Sequence, residues 1–253
     1  GDGDPEIRIV SIRLLQDEES PGLENVLLNL LENDMDERVR AGAGGALGQF
    51  IYQGELEEIP EETLKVIEEQ LLRTVNGKDR SIVRRKALEA LGYSSRPEVI
   101  GMIEHAFSSS DGDWVASALL AMGRSADIRW VGDVLKMLDE DDSSIRMEAT
   151  RAAGELDIKR AGPKLIELLD DSDDDVRAAA IWSLSQIGGE GVSEALEELM
   201  DENPDEKEVA LLEEALDNLA FNEGFGSFDL LEYDEDDLGD LNEFDVDFDD
   251  EDV

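Results

Sequence analysis

Apolar residues recur at three- and four-residue spacing along most of this chain, the pattern of helices that bury one face. One set of runs comprises Leu64, Ile67, Leu71 and Leu72, then Val131, Val134, Leu135 and Leu138, then Leu165, Ile166, Leu168 and Leu169. A second set begins at Val39, Val83, Trp114, Ile145 and Val176, and reads VRAGAGGALG, VRRKALEALG, WVASALLAMG, IRMEATRAAG and VRAAAIWSLS. The last four starts are 31 residues apart, whereas Val39 and Val83 are 44 apart, which predicts an insertion around Gln53 to Pro60. A weaker copy starts near Val209 and a partial one at Ile7, so the pattern predicts a repeat truncated at its N-terminal side. No sustained period-two alternation, the mark of half-buried strands, interrupts these runs before the C-terminal segment.

Each unit is therefore expected to be two helices joined by a short turn. A single pair cannot bury its apolar face, so pairs must stack. The predicted fold is all-α: a right-handed α-solenoid of stacked antiparallel helix pairs over residues 1–221. Local chemistry agrees. Asp34, Asp36, Asp79, Asp111, Asp113, Asp141, Asp142 and Asp171 to Asp175 precede the second helices, where aspartate caps free N–H groups and suits the helix dipole. Gly48, Gly92, Gly123 and Gly154 fall near the ends of second helices, the place of a left-handed cap. Ala43, Ala87, Ala118, Ala149 and Ala180 share one repeat position and let neighbouring helices approach closely.

Charge narrows the function. The chain holds 66 acidic against 22 basic residues, a net charge of −44, which repels nucleic-acid backbones and anionic membranes and attracts basic proteins. The absence of cysteine removes disulfides and thiolate chemistry, and fits a cytoplasmic protein. No apolar run reaches the roughly 20 residues that a membrane helix needs. Residues 222–253 carry 15 acidic residues and no basic ones, yet also Phe225, Phe228, Tyr233, Phe244 and Phe248. Such a segment is expected to be disordered or docked on the solenoid, with its rings supplying contact energy to a basic partner. The excess of acid also has a second explanation, adaptation to a salty habitat.

The Asp…Val-Arg…Ala..Ala-Leu.Gly pattern on its 31-residue period resembles the short HEAT-like repeats associated with phycobilisome bilin lyases, over residues 5 to 221. The resemblance implies a binding array and raises three enzyme classes. HEAT-like deoxyhypusine hydroxylases hold iron on paired His-Glu motifs, and this chain has one histidine, His105. HEAT-like DNA glycosylases use a basic groove, which the charge contradicts. A bilin-lyase subunit remains an alternative.

Four sets of residues are candidates for function. Arg40, Arg84, Arg146 and Arg177 follow the Asp-rich turns and are expected to form a structural ladder, each bridging turn carboxylates and carbonyls of neighbouring repeats. Second helices of this repeat type line the concave face. There Trp182, Tyr93, Leu120, Met147 and Arg151 are the expected partner contacts, together with the five C-terminal aromatics. His105 is expected on a solvated outer face. The Asp171 to Asp175 run is expected to be a solvated, helix-capping turn, since it lacks the glycine and terminal glutamate of a calcium loop. The resulting expectation is a non-catalytic protein-binding scaffold without metal or cofactor, with a nucleic-acid mimic as a further alternative.

Overall fold

The computed structural model of this protein describes residues 3–15, 20–201 and 205–226, with side chains described as far as Phe221. Among the described residues fourteen α-helices follow in order: α1 (Pro5–Leu15), α2 (Leu23–Asn33), α3 (Glu37–Ala46), α4 (Gly48–Glu55), α5 (Glu61–Val75), α6 (Ser81–Leu91), α7 (Pro97–Phe107), α8 (Gly112–Arg124), α9 (Val131–Met137), α10 (Ser143–Glu155), α11 (Gly162–Glu167), α12 (Asp174–Ile187), α13 (Val192–Asp201) and α14 (Glu206–Gly226). No strand occurs among the described residues. No helix among them is long and apolar enough to cross a membrane.

The five aligned segments coincide with α3, α6, α8, α10 and α12, the second helices of five pairs. These second helices stack in sequence, from α1 on α3 through to α12 on α14. Each first helix (α2, α5, α7, α9, α11, α13) packs on the second helix of its own pair. The alanine column sits at the centre of the stack, with Ala43, Ala87, Ala118, Ala149 and Ala180 fully buried. Leu71, Leu88, Leu119 and Leu165 are also fully buried around it. Each such side chain contributes about 1.5–3 kcal/mol relative to an exposed one.

Three features go beyond or differ from the sequence-based expectation. The longer interval before Val83 is partly helical: the chain turns at Leu47 and continues as α4, and the insertion expected around Gln53 to Pro60 comprises the end of that helix and the turn after it. The last helix runs past Phe221 to Gly226.

The glycine column is not a set of left-handed caps. Gly92 is right-handed, with φ −52°. A Cβ on Gly92 would lie 2.8 Å from the Ala121 Cα, and one on Gly154 would lie 2.9 Å from the Ser183 Cα. Gly48 and Gly123 face Ala90 and Ala152 in the same way, at 3.2 and 3.1 Å. These glycines let each second helix press against the backbone of the next. After Gly123 and Gly154 a positive φ comes three residues later, at Ala126 (φ 50°) and Asp157 (φ 51°).

Candidate functional site

The turns before second helices place carboxylates with regularity. Asp36, Asp111, Asp142 and Asp173 cap their helices, accepting from the N–H two residues on at 2.8–3.1 Å. Two residues before the cap, Asp34 and Asp171 face the arginine of the preceding repeat. Arg8 donates Nε and Nη2 to Asp34, both at 2.8 Å. Arg146 does the same to Asp171 at 2.9 Å, and Arg40 to Asp79 at 2.8 and 2.7 Å. These guanidinium hydrogen bonds hold the carboxyls of Asp34, Asp79 and Asp171 below the usual aspartate range. Arg40 and Arg146 also donate to carbonyls of their own turn, Asp34 O and Glu140 O. Arg177 reaches Glu208 at 3.1 Å and the Asp171 carbonyl at 3.0 Å. Arg84 departs from the expected bridge: it donates Nε to the Val75 carbonyl at 2.8 Å, and its guanidinium lies over the Trp114 ring, 5.3 Å from the centroid.

The face of the second helices is polar in its middle and apolar towards α14. Glu89 is buried and accepts from Lys86 Nζ at 2.6 Å and Ser117 Oγ at 2.8 Å. Arg124 donates to the Glu89 carbonyl and stacks over Tyr93, 5.0 Å from its centroid. Tyr93 is thereby held between Arg124 and Tyr52, whose ring centroid is 5.4 Å away. One turn along, α10 presents Glu148, Arg151 and Glu155. Burial pushes both glutamate carboxyls above the usual range. Glu148 Oε2 and Glu155 Oε2 are shielded from solvent and accept no hydrogen bond among the described residues. Arg151 stands between them at 4.0 and 3.9 Å, too far for a good hydrogen bond.

Beside Arg151 an open hollow of about 320 Å³ is lined by Met147, Arg151, Asp175, Ala178, Trp182 and Leu211, on α10, α12 and α14. Trp182 is 38% exposed. One edge of its indole covers Gly154, where a Cβ would meet Cζ3 at 2.8 Å. The glycine column thus seats the tryptophan while leaving its other side open.

Residues 131–217 match the family of HEAT repeats. The chain carries HEAT repeats over these residues. Its fold is similar to the complex of CpcE and CpcF of phycocyanin lyase from Nostoc (TM-score 0.56, 16% identity, covering 86% of this chain and 91% of that one). It is also similar to Kap95p in complex with RanGDP (TM-score 0.50, 14% identity, covering 92% of this chain and 34% of that one). The YibA protein of Escherichia coli aligns over 87% of this chain and 89% of its own, with TM-score 0.48 and 16% identity. No curated protein sequence matches the chain.

Within the helical array, Trp182, Met147 and Arg151 come together at one hollow, and Tyr93 lies apart in the Arg124–Tyr52 stack. Leu120 is 6% exposed and so is not available as a contact. From α6 to α12 its repeat position is graded: Glu89 and Leu120 are buried, Arg151 is intermediate and Trp182 exposed. The sequence marks that position but not the depth. His105 is exposed on α7. Phe225 lies in α14 with its side chain undescribed, and Phe228, Tyr233, Phe244 and Phe248 lie outside the described residues. Sequence reasoning missed Arg8 as a ladder member, although it occupies the arginine position of the partial first copy. Glu148 and Glu155 hold repeat positions expected to face the groove, and the burial of their carboxyls is what the spacing does not reveal.

Proposed function

We propose that this protein is a non-catalytic scaffold that holds a basic protein segment against the α10–α12–α14 face of its second helices. The carrying observation is the pair of shielded carboxylates, Glu148 and Glu155, short of donors and flanking Arg151 beside the Trp182 hollow. A lysine or arginine side chain from a partner supplies the missing donors, and its neighbouring apolar residue fills the hollow against Trp182, Met147 and Leu211. The net charge of −44 steers such a partner to the array. Kap95p, which this fold is like, is described in complex with the protein RanGDP, an example of a solenoid holding a folded partner. The acidic segment 222–253 is assigned a second, electrostatic contact with the same partner, and the likeness to the lyase pair is one of fold.

Titration calorimetry of the full chain with a short peptide of alternating lysine and leucine tests this. Wild type is expected to bind with salt-sensitive affinity, and Trp182→Ala, which keeps the charge, is expected to lose about tenfold or more. Glu148→Gln with Glu155→Gln is expected to lose a similar factor. Equal affinity in all variants would mean that the peptide reads bulk charge alone, and the proposed face would be wrong.

A further inference from the structure

Among the described residues, Arg84 is a ladder arginine whose rung lacks its carboxylate, whereas at α8 the arginine itself is replaced by Val115. At the rungs formed by Arg8–Asp34, Arg40–Asp79 and Arg146–Asp171, the guanidinium grips a carboxylate of the next repeat through Nε and Nη2. The residue that should serve Arg84 in this way is Ser109. The assignment rests on a shared backbone bond. Asp36 N donates to Asp34 Oδ1 and Asp173 N to Asp171 Oδ1, both at 2.9 Å, and Asp111 N donates to Ser109 Oγ at 3.1 Å. Each acceptor stands two residues before the capping aspartate of its helix. Serine at this place supplies the turn but no carboxylate.

The consequence is visible around Arg84. Among the described residues no carboxylate bonds its guanidinium, whose central carbon lies over the Trp114 ring. A cavity of about 490 Å³ opens there, lined by Arg84, Ser109 and Trp114 with Val75, Met102 and His105. One acid also borders it, Glu98, and Arg96 Nη2 already holds that carboxylate at 2.8 Å. The cavity thus offers a planar cation, a hydroxyl, an exposed imidazole and an aromatic wall.

We infer that this cavity is a binding site for a carboxylate-bearing ligand, whose acid group occupies on Arg84 the place that Asp34, Asp79 and Asp171 fill at the other rungs. The fold itself supplies the precedent for the chemistry, since three equivalent arginines hold carboxylates bidentately. Trp114 and Met102 favour a ligand whose acid is carried on an apolar or aromatic body. The surrounding charge of the chain opposes any anion at long range, but at physiological salt that field is screened beyond about 8 Å. This site and the basic-segment face use different residues and opposite ligand charge.

The test is an NMR titration of the full chain, following the Trp114 indole N–H with Trp130 and Trp182 as internal controls. Benzoate is expected to shift Trp114 alone, and benzamide, its neutral counterpart, is expected to do nothing. A peptide of alternating aspartate and phenylalanine forms a parallel arm: response to benzoate only identifies a free small acid, and response to the peptide identifies acidic side chains. Arg84→Gln is expected to weaken binding at least tenfold. Ser109→Asp is expected to fill the rung from within the chain, abolishing the titration and raising the melting temperature. No response to either acid, equal response to benzoate and benzamide, or full binding by Ser109→Asp would overturn the inference.

Discussion

Arg146 holds Asp171 through two parallel hydrogen bonds of 2.9 Å, joining the repeat of α10 to the repeat of α12. Both side chains are largely buried, 14% and 8% exposed. The pair therefore acts as a tie between units rather than as a surface ion pair. Asp171→Asn is expected to cost about 1.5–3 kcal/mol, the scale of a hydrogen bond to a charged group, measured by urea unfolding at pH 7.

The ladder also sets the response to acid. The Asp34, Asp79 and Asp171 carboxyls titrate below their ordinary value because guanidinium groups bond their charged forms. In the unfolded chain they take up protons first. Their contribution is thus complete above the ordinary aspartate value and is lost as pH falls through the depressed one. Stability should drop steeply in that window, and Asp171→Asn should flatten the slope of melting temperature against pH.

Glu148 and Glu155 act in the opposite sense. Burial raises their carboxyls, so the folded chain binds those protons more tightly than the unfolded chain does. They destabilise the fold as pH rises through the glutamate range towards neutrality. Glu148→Gln is expected to stabilise the protein at pH 7 by on the order of 1 kcal/mol, with the gain vanishing at low pH where the carboxyl is protonated. Binding of a basic peptide should show the reverse dependence, weakening on acidification through the raised values, as calorimetry at several pH values can check.

The glycine column gives a contrast within one kind of substitution. Gly92→Ala places a methyl 2.8 Å from the Ala121 Cα and 2.9 Å from its carbonyl oxygen, so backbone must move. A loss of about 1–3 kcal/mol is expected. Gly101→Ala, in α7, meets nothing within 4 Å and is expected to gain about 0.5–1 kcal/mol from helix propensity. Similar melting temperatures for the two variants would contradict the close-packing role.

Much of this architecture can be read from the chain, because a 31-residue spacing with alanine at one position leaves few alternatives to stacked pairs. Gly92 and Gly154 were visible as a column, but their role was not: a cap and a close approach both call for glycine, and the second needs the position of Ala121 or Ser183. Arg84 shows the same limit. Its place in the repeat marks it as a ladder residue, yet its partner depends on whether Asp or Ser stands two residues before the next cap. Leu120 and Trp182 share one repeat position and differ in depth, which no period can encode.

The close approach of successive second helices also bears on how the array comes apart. Gly48, Gly92, Gly123 and Gly154 each fit the backbone of the following unit, so no unit completes its surface without its neighbour. Unfolding must then spread from joint to joint, and the weakest joint decides where the chain divides into separately melting blocks. The step from α6 to α8, where Arg84 grips no carboxylate, and the step from α8 to α10, whose ladder position holds Val115, are the joints without this tie and the seams at which the array is expected to part first.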